Sequence, residues 1–446
     1  MMGARPAMLA PATIHESMNK PGLPSTHAEP GGPPATERSD APEQGARRTA
    51  AAERLADANS CVMCGLCLPH CPTYGLERNE ADGPRGRIAL MLALNQGRLP
   101  VDDHVAGHLD ACLGCRACEQ MCPSGVPYGR LIDGARQELR ASGKANESAA
   151  RWRDRVLTHR ARLSVLVGAQ ALSDRIGLGK LTRALAGPAA DALPRPLPWP
   201  TDPIGIHPAT TAYRGRVGLF IGCMGTSLDA DTTRAALKVL TRLGWTVVVP
   251  RAQGCCGAMH RHDGAVDRAD ALIARNVEAF RAMDVERVIG TSTACVAEWR
   301  EQAIGAPPVE ELTDFLARVP EAAWPELVPA RGRKVAVHLP CSQRNVLRDP
   351  DAGERLLRRI PQLEVATLPG NALCCGSAGL QRLTHPEQAR ALRAPKLDTI
   401  EALDPDDLVS TNAGCILHLN VGLGQRGSRL RVQHPVQLIA RHLSGD

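Results

Sequence analysis

Residues 61–72 read CVMCGLCLPHCP, and residues 112–123 read CLGCRACEQMCP. In each run three cysteines stand at two-residue steps, and a fourth follows after three more residues, directly before a proline. Three thiolates spaced in this way on one loop face the same iron–sulfur cube, with backbone N–H groups directed at its sulfurs. Because the run occurs twice, we predict two [4Fe–4S] clusters in this part of the chain.

The fourth thiolate of each cluster is expected to come from the other run. In two-cluster ferredoxins the last cysteine of a run binds the second cluster, and the following proline turns the chain away. The predicted ligand sets are Cys61, Cys64, Cys67 and Cys122 for the first cluster, and Cys71, Cys112, Cys115 and Cys118 for the second. Two zinc sites are the alternative, since CxxC also spaces zinc ligands, but they fit three cysteines followed by CP poorly.

A helical segment separates the two runs. In DGPRGRIALMLALNQGR (82–98) the apolar positions between Ile88 and Leu94 suit one face of a helix. This insert is longer than the gap of a compact ferredoxin. Residues 51–145 are therefore predicted to form a helical ferredoxin domain like those of respiratory dehydrogenases, which pass electrons and do not bind substrate.

The C-terminal half of the chain contains one cysteine pattern twice. The first copy is Cys223, Cys255, Cys256 and Cys295, and the second is Cys341, Cys374, Cys375 and Cys415. A glycine follows the adjacent pair in both copies, and the copies lie about 119 residues apart, as expected for tandem units. We refer to residues 213–330 as repeat 1 and to residues 331–446 as repeat 2.

Both repeats are predicted to be α/β units. Short β-branched segments at 216–222, 245–250, 334–340 and 407–411 alternate with helical patterns, which is typical of layered α/β structure. Loops at the carboxyl ends of such strands form the ligand crevice, so the cysteines are expected to converge there. The whole chain is thus predicted to be an α+β multidomain protein, with a helical two-cluster ferredoxin domain followed by tandem α/β repeats.

The eight cysteines of the repeats have two interpretations. Adjacent cysteines bridge each other poorly without strain, so a recurring pair favours a further cluster, metal or redox site in each repeat. Buried free thiols acting as small core side chains are the alternative. The nearby His260, His262 and His418 are candidate ligands or proton carriers, although a surface or core role is favoured, and His338 beside Cys341 receives no role.

The remaining segments are expected to connect or extend these units. Residues 1–50 are rich in proline, show no hydrophobic period and are predicted to be disordered. Residues 146–212 combine a helical stretch with the proline-rich ALPRPLPWPTDPIGIHP (192–208), which predicts a stiff, extended linker.

Composition narrows the class of protein. The net charge of +6 is small for 446 residues and only 2% of residues are aromatic, which argues against a nucleic-acid partner. Sixteen cysteines in a long chain without a signal-peptide core indicate a reducing, cytoplasmic location. The apolar run at 88–94 falls far short of the ~18–20 residues that cross a bilayer, so no transmembrane span is expected, and peripheral docking on the inner membrane is left open.

The repeats resemble the CCG cysteine-rich domain, whose fuller pattern is C…CCG…CxxC. In heterodisulfide reductases the five cysteines of that pattern are associated with an unusual iron–sulfur cluster. Here Ser292 stands three residues before Cys295, and Asn412 three before Cys415, so the closing CxxC is incomplete in both copies. This departure argues against a heterodisulfide-type catalytic cluster.

Residues 55–446 as a whole resemble the family of glycolate oxidase iron–sulfur subunits. The most specific strings are CPTYGLERNEADGPRGRI (71–88), CLGCRACEQMCPSGVPYGRLID (112–133), QGCCGAMHRH (253–262) and NALCCGSAGL (371–380). The resemblance implies an electron-transfer subunit that takes electrons from reduced FAD on partner hydroxy-acid dehydrogenase subunits and passes them towards a quinone or another acceptor. Glycolate is the implied substrate of the complex, with D-lactate as a second.

The absence of certain motifs agrees with a subunit role. No GxGxxG follows a predicted strand, and no Walker or flavin fingerprint occurs, so the flavin is expected on the partner. Three alternatives stay open: the corresponding subunit of anaerobic glycerol-3-phosphate dehydrogenase, a heterodisulfide-reductase-like thiol–disulfide reductase, and a zinc-stabilised interaction protein.

Overall fold

The computed structural model describes residues 55–186, 193–194, 196–303 and 305–444. The segment 1–50, predicted to be disordered, lies outside the described residues. Within the described ranges, no helix combines the length and the apolar character needed to cross a bilayer. The domain boundaries expected near residues 145, 212 and 330 stay predictions.

Short helices flank the two cysteine runs. They are α1 (Pro72–Glu77), α2 (Pro84–Asn95), α3 (Asp103–Asp110), α4 (Ala117–Gln120) and α5 (Tyr128–Ala141). Helix α2 begins at a proline, whose fixed φ suits the first helical position. Its buried Ile88 and Met91 pack with Leu109 of α3 and Leu131 of α5 in one hydrophobic core. The helix predicted between the runs is confirmed.

Two residues of the DGPRGR segment hold α2 against the chain around it. A Cβ on Gly86 would lie 2.0 Å from the carbonyl oxygen of Glu80, so only glycine permits this close approach. Arg87 is 1% exposed and donates to the His108 carbonyl (2.6 Å) and the Thr73 hydroxyl (2.9 Å). Arg87 therefore ties α2 to both α1 and α3.

Three further helices lead towards the repeats: α6 (Glu147–Trp152), α7 (Arg160–Arg175) and α8 (Gly179–Ala186). The buried Leu163 and Val167 of α7 pack with Leu228 and Leu417, which come from repeat 1 and repeat 2 respectively. Helix α7 therefore rests on both repeats.

Two mainly parallel sheets form the centres of the repeats. Their strands are β1 (Gly205–His207), β2 (Gly215–Phe220), β3 (Trp245–Val249), β4 (Arg287–Gly290), β5 (Val309–Glu311), β6 (Lys334–His338), β7 (Glu364–Thr367), β8 (Asp407–Ser410) and β9 (Val432–Gln433). The first sheet has the order β1-β3-β2-β4-β5, with only β1 antiparallel, and the second has the order β7-β6-β8-β9. The shared order shows that the repeats have one topology.

The four strands predicted from β-branched segments are confirmed as β2, β3, β6 and β8, each ending one or two residues earlier than expected. Strand β1 lies in the proline-rich stretch predicted to be a linker. It pairs with β3, placing Gly205 opposite Val249. The end of that stretch is therefore an edge strand of the first sheet, where missing proline N–H groups are tolerated.

Helices cover the sheets and separate them. Those of repeat 1 are α9 (Ala230–Arg242), α10 (Ala258–Arg261), α11 (Val266–Arg281), α12 (Thr293–Gln302) and α13 (Leu312–Ala317), and those of repeat 2 are α14 (Ala352–Leu357), α15 (Gln381–Thr384), α16 (Pro386–Leu403), α17 (Ala413–Gln425) and α18 (Pro435–His442). Leu219 of β2, Val337 of β6, Leu240 of α9 and Ile439 of α18 share one hydrophobic core. The two repeats are therefore packed together through a common core.

The strand order places the cysteines at two equivalent positions. After β2 the chain adds β3 on one side of it and then crosses to add β4 on the other, and β6, β7 and β8 repeat this path. Ligands of open α/β sheets bind where the strand order reverses, beyond the carboxyl ends of the strands. Cys223 follows β2 and Cys341 follows β6 at these positions.

Candidate iron–sulfur and thiol sites

The first predicted ligand set gathers around one small concavity. Its lining includes Cys61, Cys64, Cys67 and Cys122, and Cys118 of the second set lines it as well. Cys64 is exposed and the other three members of the set are half-buried. Burial raises the pKa of Cys67, and the neighbouring thiols of Cys61 and Cys122 raise it further. Cys122 therefore lies with the first three cysteines, as the crossed assignment requires.

The second predicted set lines a separate concavity that includes Cys71, Cys112, Cys115 and Cys118. Three of these cysteines are buried, and Cys115 is half-buried. Burial raises the pKa of Cys118 well above its ordinary value, and the other three thiols add to the shift. The second site is thus more enclosed than the first.

Arginines surround the second set. Burial disfavours the Cys112 thiolate, but the guanidinium groups of Arg87 and Arg136 outweigh it and lower the pKa of Cys112. The Gly114 N–H donates to Cys112 Sγ at 3.4 Å, and the Tyr128 hydroxyl lies 3.6 Å from the same sulfur. The sequence pattern did not point to either arginine as a site residue, although Arg87 belongs to the DGPRGR string.

Both concavities fit a [4Fe–4S] cluster by their chemistry. Thiols that raise the pKa of one another cannot all ionise in a dry site unless a positive charge compensates them. Iron supplies that charge, and N–H groups directed at sulfur, such as that of Gly114, are typical of cluster-binding loops. The two ligand sets could therefore each hold one cluster.

The cysteines of repeat 1 converge as expected. Hydrogen bonds with the thiols of Cys223 and Cys256 lower the pKa of Cys255, and His260 and the Gly257 N–H contribute to the same shift. The imidazole of His260 is buried, and its Nε2 lies 2.9 Å from a carboxylate oxygen of Asp154. The Cys256 thiol in turn forms a hydrogen bond with the Cys295 thiol. His260 is therefore a buried histidine, consistent with the favoured core role, and it also neighbours the thiols.

The cysteines of repeat 2 converge at the equivalent position. The Sγ atoms of Cys375 and Cys415 are 3.1 Å apart, and the Gly376 N–H donates to Cys374 Sγ at 3.4 Å. The hydrogen bond with Cys374, together with burial, raises the pKa of Cys341 well above its ordinary value. Repeat 2 therefore lacks the lowered thiol pKa found in repeat 1.

All eight of these thiols line one cavity between the repeats, with a volume of about 220 Å³. Cys115 of the second ferredoxin set lines the same cavity. Burial raises the pKa of Cys115, and the Cys341 thiol of repeat 2 raises it further. The Asn345 side-chain amide donates to the Cys115 carbonyl at 2.7 Å. The second ferredoxin site and the thiols of repeat 2 are thus direct neighbours.

The two positions that break the CxxC pattern have structural roles. Ser292 and Asn412 are the N-cap residues of α12 and α17, and the Asn412 carboxamide oxygen accepts from the Gly414 N–H at 2.8 Å. The Asn412 amide also donates to Thr293 at 3.3 Å, and the Ala413 N–H donates to Ser292 at 3.4 Å. These side chains join the repeats across the cavity, where a fifth cysteine of each pattern would otherwise stand.

The glycine after each cysteine pair is required by the backbone. Gly257 has a φ of 94° and Gly376 a φ of 88°, values that side chains rarely permit. A Cβ on either would lie 2.8 Å from a helix carbonyl, that of Ala269 or Ala389. The pair therefore turns tightly against α11 in repeat 1 and against α16 in repeat 2.

Of the other two candidate histidines, His418 lies in the core and His262 lines the cavity that holds the thiols. The His418 Nε2–H donates to the Ala389 carbonyl at 3.0 Å, and burial lowers the pKa of His418 to about 3. His262 lies 3.8 Å from Asp133, next to Gly114 and Gly379. His418 has the core role that the sequence favoured.

The chain matches known protein families in sequence. Family models match the 4Fe-4S dicluster domain at residues 57–126 and the CCG cysteine-rich domain at 217–299 and 335–420. A probable glycolate oxidase iron–sulfur subunit of Bacillus subtilis is 31% identical over 417 residues, which cover 85% of this chain and 93% of the relative. The chain belongs to the glycolate oxidase iron–sulfur subunit family.

Other relatives agree with this family. The Escherichia coli glycolate oxidase iron–sulfur subunit is 32% identical over 404 residues, covering 87% of this chain and 94% of that protein. Lactate utilization protein A of Oceanobacillus iheyensis is 27% identical over 244 residues, covering 52% of this chain and 98% of its own length. The predicted fold class, the resemblance and the [4Fe–4S] cofactor type are confirmed.

Proposed function

We propose that this chain is the electron-transfer subunit of a complex in which separate FAD-containing subunits oxidise glycolate to glyoxylate. Two relatives that align over most of their length carry the name glycolate oxidase iron–sulfur subunit. Lactate is the second candidate substrate, because a shorter relative is named for lactate utilization. The chain's own motifs include no flavin fingerprint, which supports a flavin on a partner.

The observation that carries the proposal is the crossed grouping of the ferredoxin cysteines. Cys122 lines the concavity of the first run, and Cys71 lines that of the second. When bound there, [4Fe–4S] clusters supply one-electron redox chemistry that no side chain of the protein provides. We propose the two predicted sets of four cysteines as the ligands.

The first site is proposed as the contact with the flavoprotein. Cys64 is exposed, and the neighbouring Val62 and Leu66 are 69% and 57% exposed. An apolar rim around an exposed ligand lets a partner exclude water and approach the redox centre closely. The enclosed second set offers no comparable face among its own cysteines, so electrons are proposed to enter at the Cys64 loop.

The second site is proposed to pass electrons towards repeat 2. Cys115 lines both the second concavity and the cavity between the repeats, and Cys341 is its neighbour there. The eight thiols of the repeats are proposed as a further redox or metal site beside this route. A quinone or another acceptor is proposed to receive the electrons. The complex is proposed to lie in the cytoplasm or to be held peripherally on the cytoplasmic membrane.

Metal content tests the cofactor part of the proposal. Iron, sulfide and zinc are measured per chain on anaerobically purified full-length protein, followed by low-temperature EPR after dithionite reduction. Two clusters predict about eight iron atoms and a signal of two coupled centres. Zinc in place of iron at these sites would contradict electron transfer and favour an interaction protein.

Cys64→Ser tests the route in the assembled complex. Losing a ligand of the first site is expected to abolish electron flow to the acceptor, while glycolate still reduces the partner's flavin. Asn59→Ala is the control, since Asn59 is an exposed residue of the same region whose side chain donates to the Ala56 carbonyl. Stopped-flow flavin absorbance and dye reduction separate the two steps. Loss of flavin reduction in Cys64→Ser would contradict the relay.

A further inference from the structure

A histidine and two cysteines of repeat 2 form a buried group with metal-ligand geometry. Ligand atoms of His338, Cys375 and Cys415 all lie within 4.8 Å of one another, and all three side chains are buried. Ligands in a tetrahedral zinc site stand about 2.0–2.3 Å from the metal, so their mutual separations are about 3.3–3.8 Å. Small side-chain adjustments would therefore bring these three atoms around one ion.

The imidazole of His338 is oriented for such a role. Its Nδ1 lies 3.0 Å from the Ser410 hydroxyl, while its Nε2 is buried and has no hydrogen-bond partner among the described residues. Leaving a buried polar atom unpaired disfavours the folded state. A ring held at one nitrogen by a hydroxyl, with the other nitrogen free, is the arrangement of a metal-binding histidine.

Repeat 1 has an apolar residue at the position equivalent to His338. Phe220 stands three residues before Cys223, as His338 stands three before Cys341. The Phe220 ring packs against Trp299 and Phe280, with centroids 5.1 and 6.2 Å apart. The same core position therefore accepts an apolar ring, so packing alone does not require an imidazole.

We propose that His338, Cys375 and Cys415 bind one zinc ion in repeat 2. Nitrogen and thiolate donors in a small tetrahedral group are the ligands that zinc prefers. Two thiolates balance the charge of Zn²⁺, so the buried complex is neutral. Cys375 and Cys415 line the cavity between the repeats, and Cys341 and Cys374 line the same cavity.

The zinc site is independent of the proposed electron route. Zinc has no redox chemistry in proteins, so this ion would neither replace nor join the [4Fe–4S] clusters of the ferredoxin part. Its role would be to hold the end of β6, the cysteine pair and the first turn of α17 together. The inference can therefore fail while electron transfer stands, and the reverse also holds.

X-ray absorption at the zinc edge tests the site in the full-length protein purified anaerobically without added metal. The expected result is about one zinc per chain, with a shell of one nitrogen and two or three sulfurs, alongside about eight iron atoms. Iron does not obscure the zinc edge. Zinc below about 0.1 per chain, or a shell of sulfur alone, would overturn the proposal.

Matched variants assign the ligands. His338→Phe, which copies repeat 1, and Cys415→Ser are each expected to lower zinc content about tenfold or more and to leave iron unchanged. His418→Gln is the control. His418 is a buried histidine of repeat 2 that donates to the Ala389 carbonyl and is not a proposed ligand, so this variant should keep a full zinc content. Full zinc in His338→Phe with an unchanged absorption spectrum would overturn the assignment. If that variant does not fold, the wild-type shell decides.

Discussion

The two repeats share a topology and four thiols, yet they fill equivalent core positions with different chemistry. Three residues before the first cysteine, repeat 1 has Phe220 and repeat 2 has His338; three residues after the last cysteine, repeat 1 has Glu298 and repeat 2 has His418. All four side chains are buried. Duplication has therefore preserved the backbone of the site while its surroundings differ.

In each repeat the backbone positions the thiols, while the neighbouring side chains set the environment of those thiols. The strand ends and the glycine turns are the same in both copies, because they follow from the shared sheet order. Aromatic packing and a buried ion pair surround the thiols of repeat 1, whereas imidazoles occupy the matching positions in repeat 2. Each repeat can therefore be perturbed separately from the other.

Phe220→Ala is expected to have the largest effect on this comparison. Removing a fully buried ring from the Phe280–Trp299 cluster should lower the local stability of repeat 1 by about 3–5 kcal/mol. Hydrogen exchange of peptides from β2 and β4 measures it, with β6 and β8 as the internal reference. The control Tyr213→Ala, at a 69% exposed position, should change the exchange of neither repeat. Equal loss of protection in both repeats would show that their common core opens as one unit.

Glu298→Ala should have the next largest effect. Glu298 and Arg261 are each about 5% exposed and lie 2.6 Å apart, so the substitution leaves a guanidinium with only Asp270 as a carboxylate partner. A loss of about 3 kcal/mol in repeat 1 is expected. Glu301→Ala removes an exposed pair with Arg116 and should cost less than about 1 kcal/mol. Hydrogen exchange of α12 measures the loss of stability in both variants. Similar losses would contradict the expectation that the buried ion pair contributes more than the exposed one.

Acid should weaken repeat 2 by a smaller amount. Burial lowers the folded-state pKa of His418 from 6.5 to about 3. Between these values the unfolded chain takes up a proton that the folded chain does not, so stability falls as pH drops below 6.5, by about 1.4 kcal/mol per unit. The free energy of opening of α17, measured by hydrogen exchange, should fall between pH 7 and pH 5 by about 2 kcal/mol more in wild type than in His418→Gln. No difference between the two proteins would contradict a neutral buried imidazole.

Much of the site was predictable because its signals are local. The CxxCxxCxxxCP runs determine their own ligand chemistry, since two-residue steps on one loop bring thiolates to one point. The tandem pattern around Cys255 and Cys374 predicted two equal units, and β-branched segments predicted their central strands. The short β4, β5, β7 and β9 escaped prediction, because strands of two to four residues carry little pattern of their own.

The cysteine spacings, the duplication and the helix between the runs could be read from the sequence, because each depends on neighbours within one segment. Tertiary packing alone places Cys115 beside Cys341, links Ser292 and Asn412 to the opposite repeat by hydrogen bonds, and turns His338 towards Cys415. These contacts join residues more than 70 positions apart. They arise when two sheets pack on a shared core, and no local pattern specifies that packing.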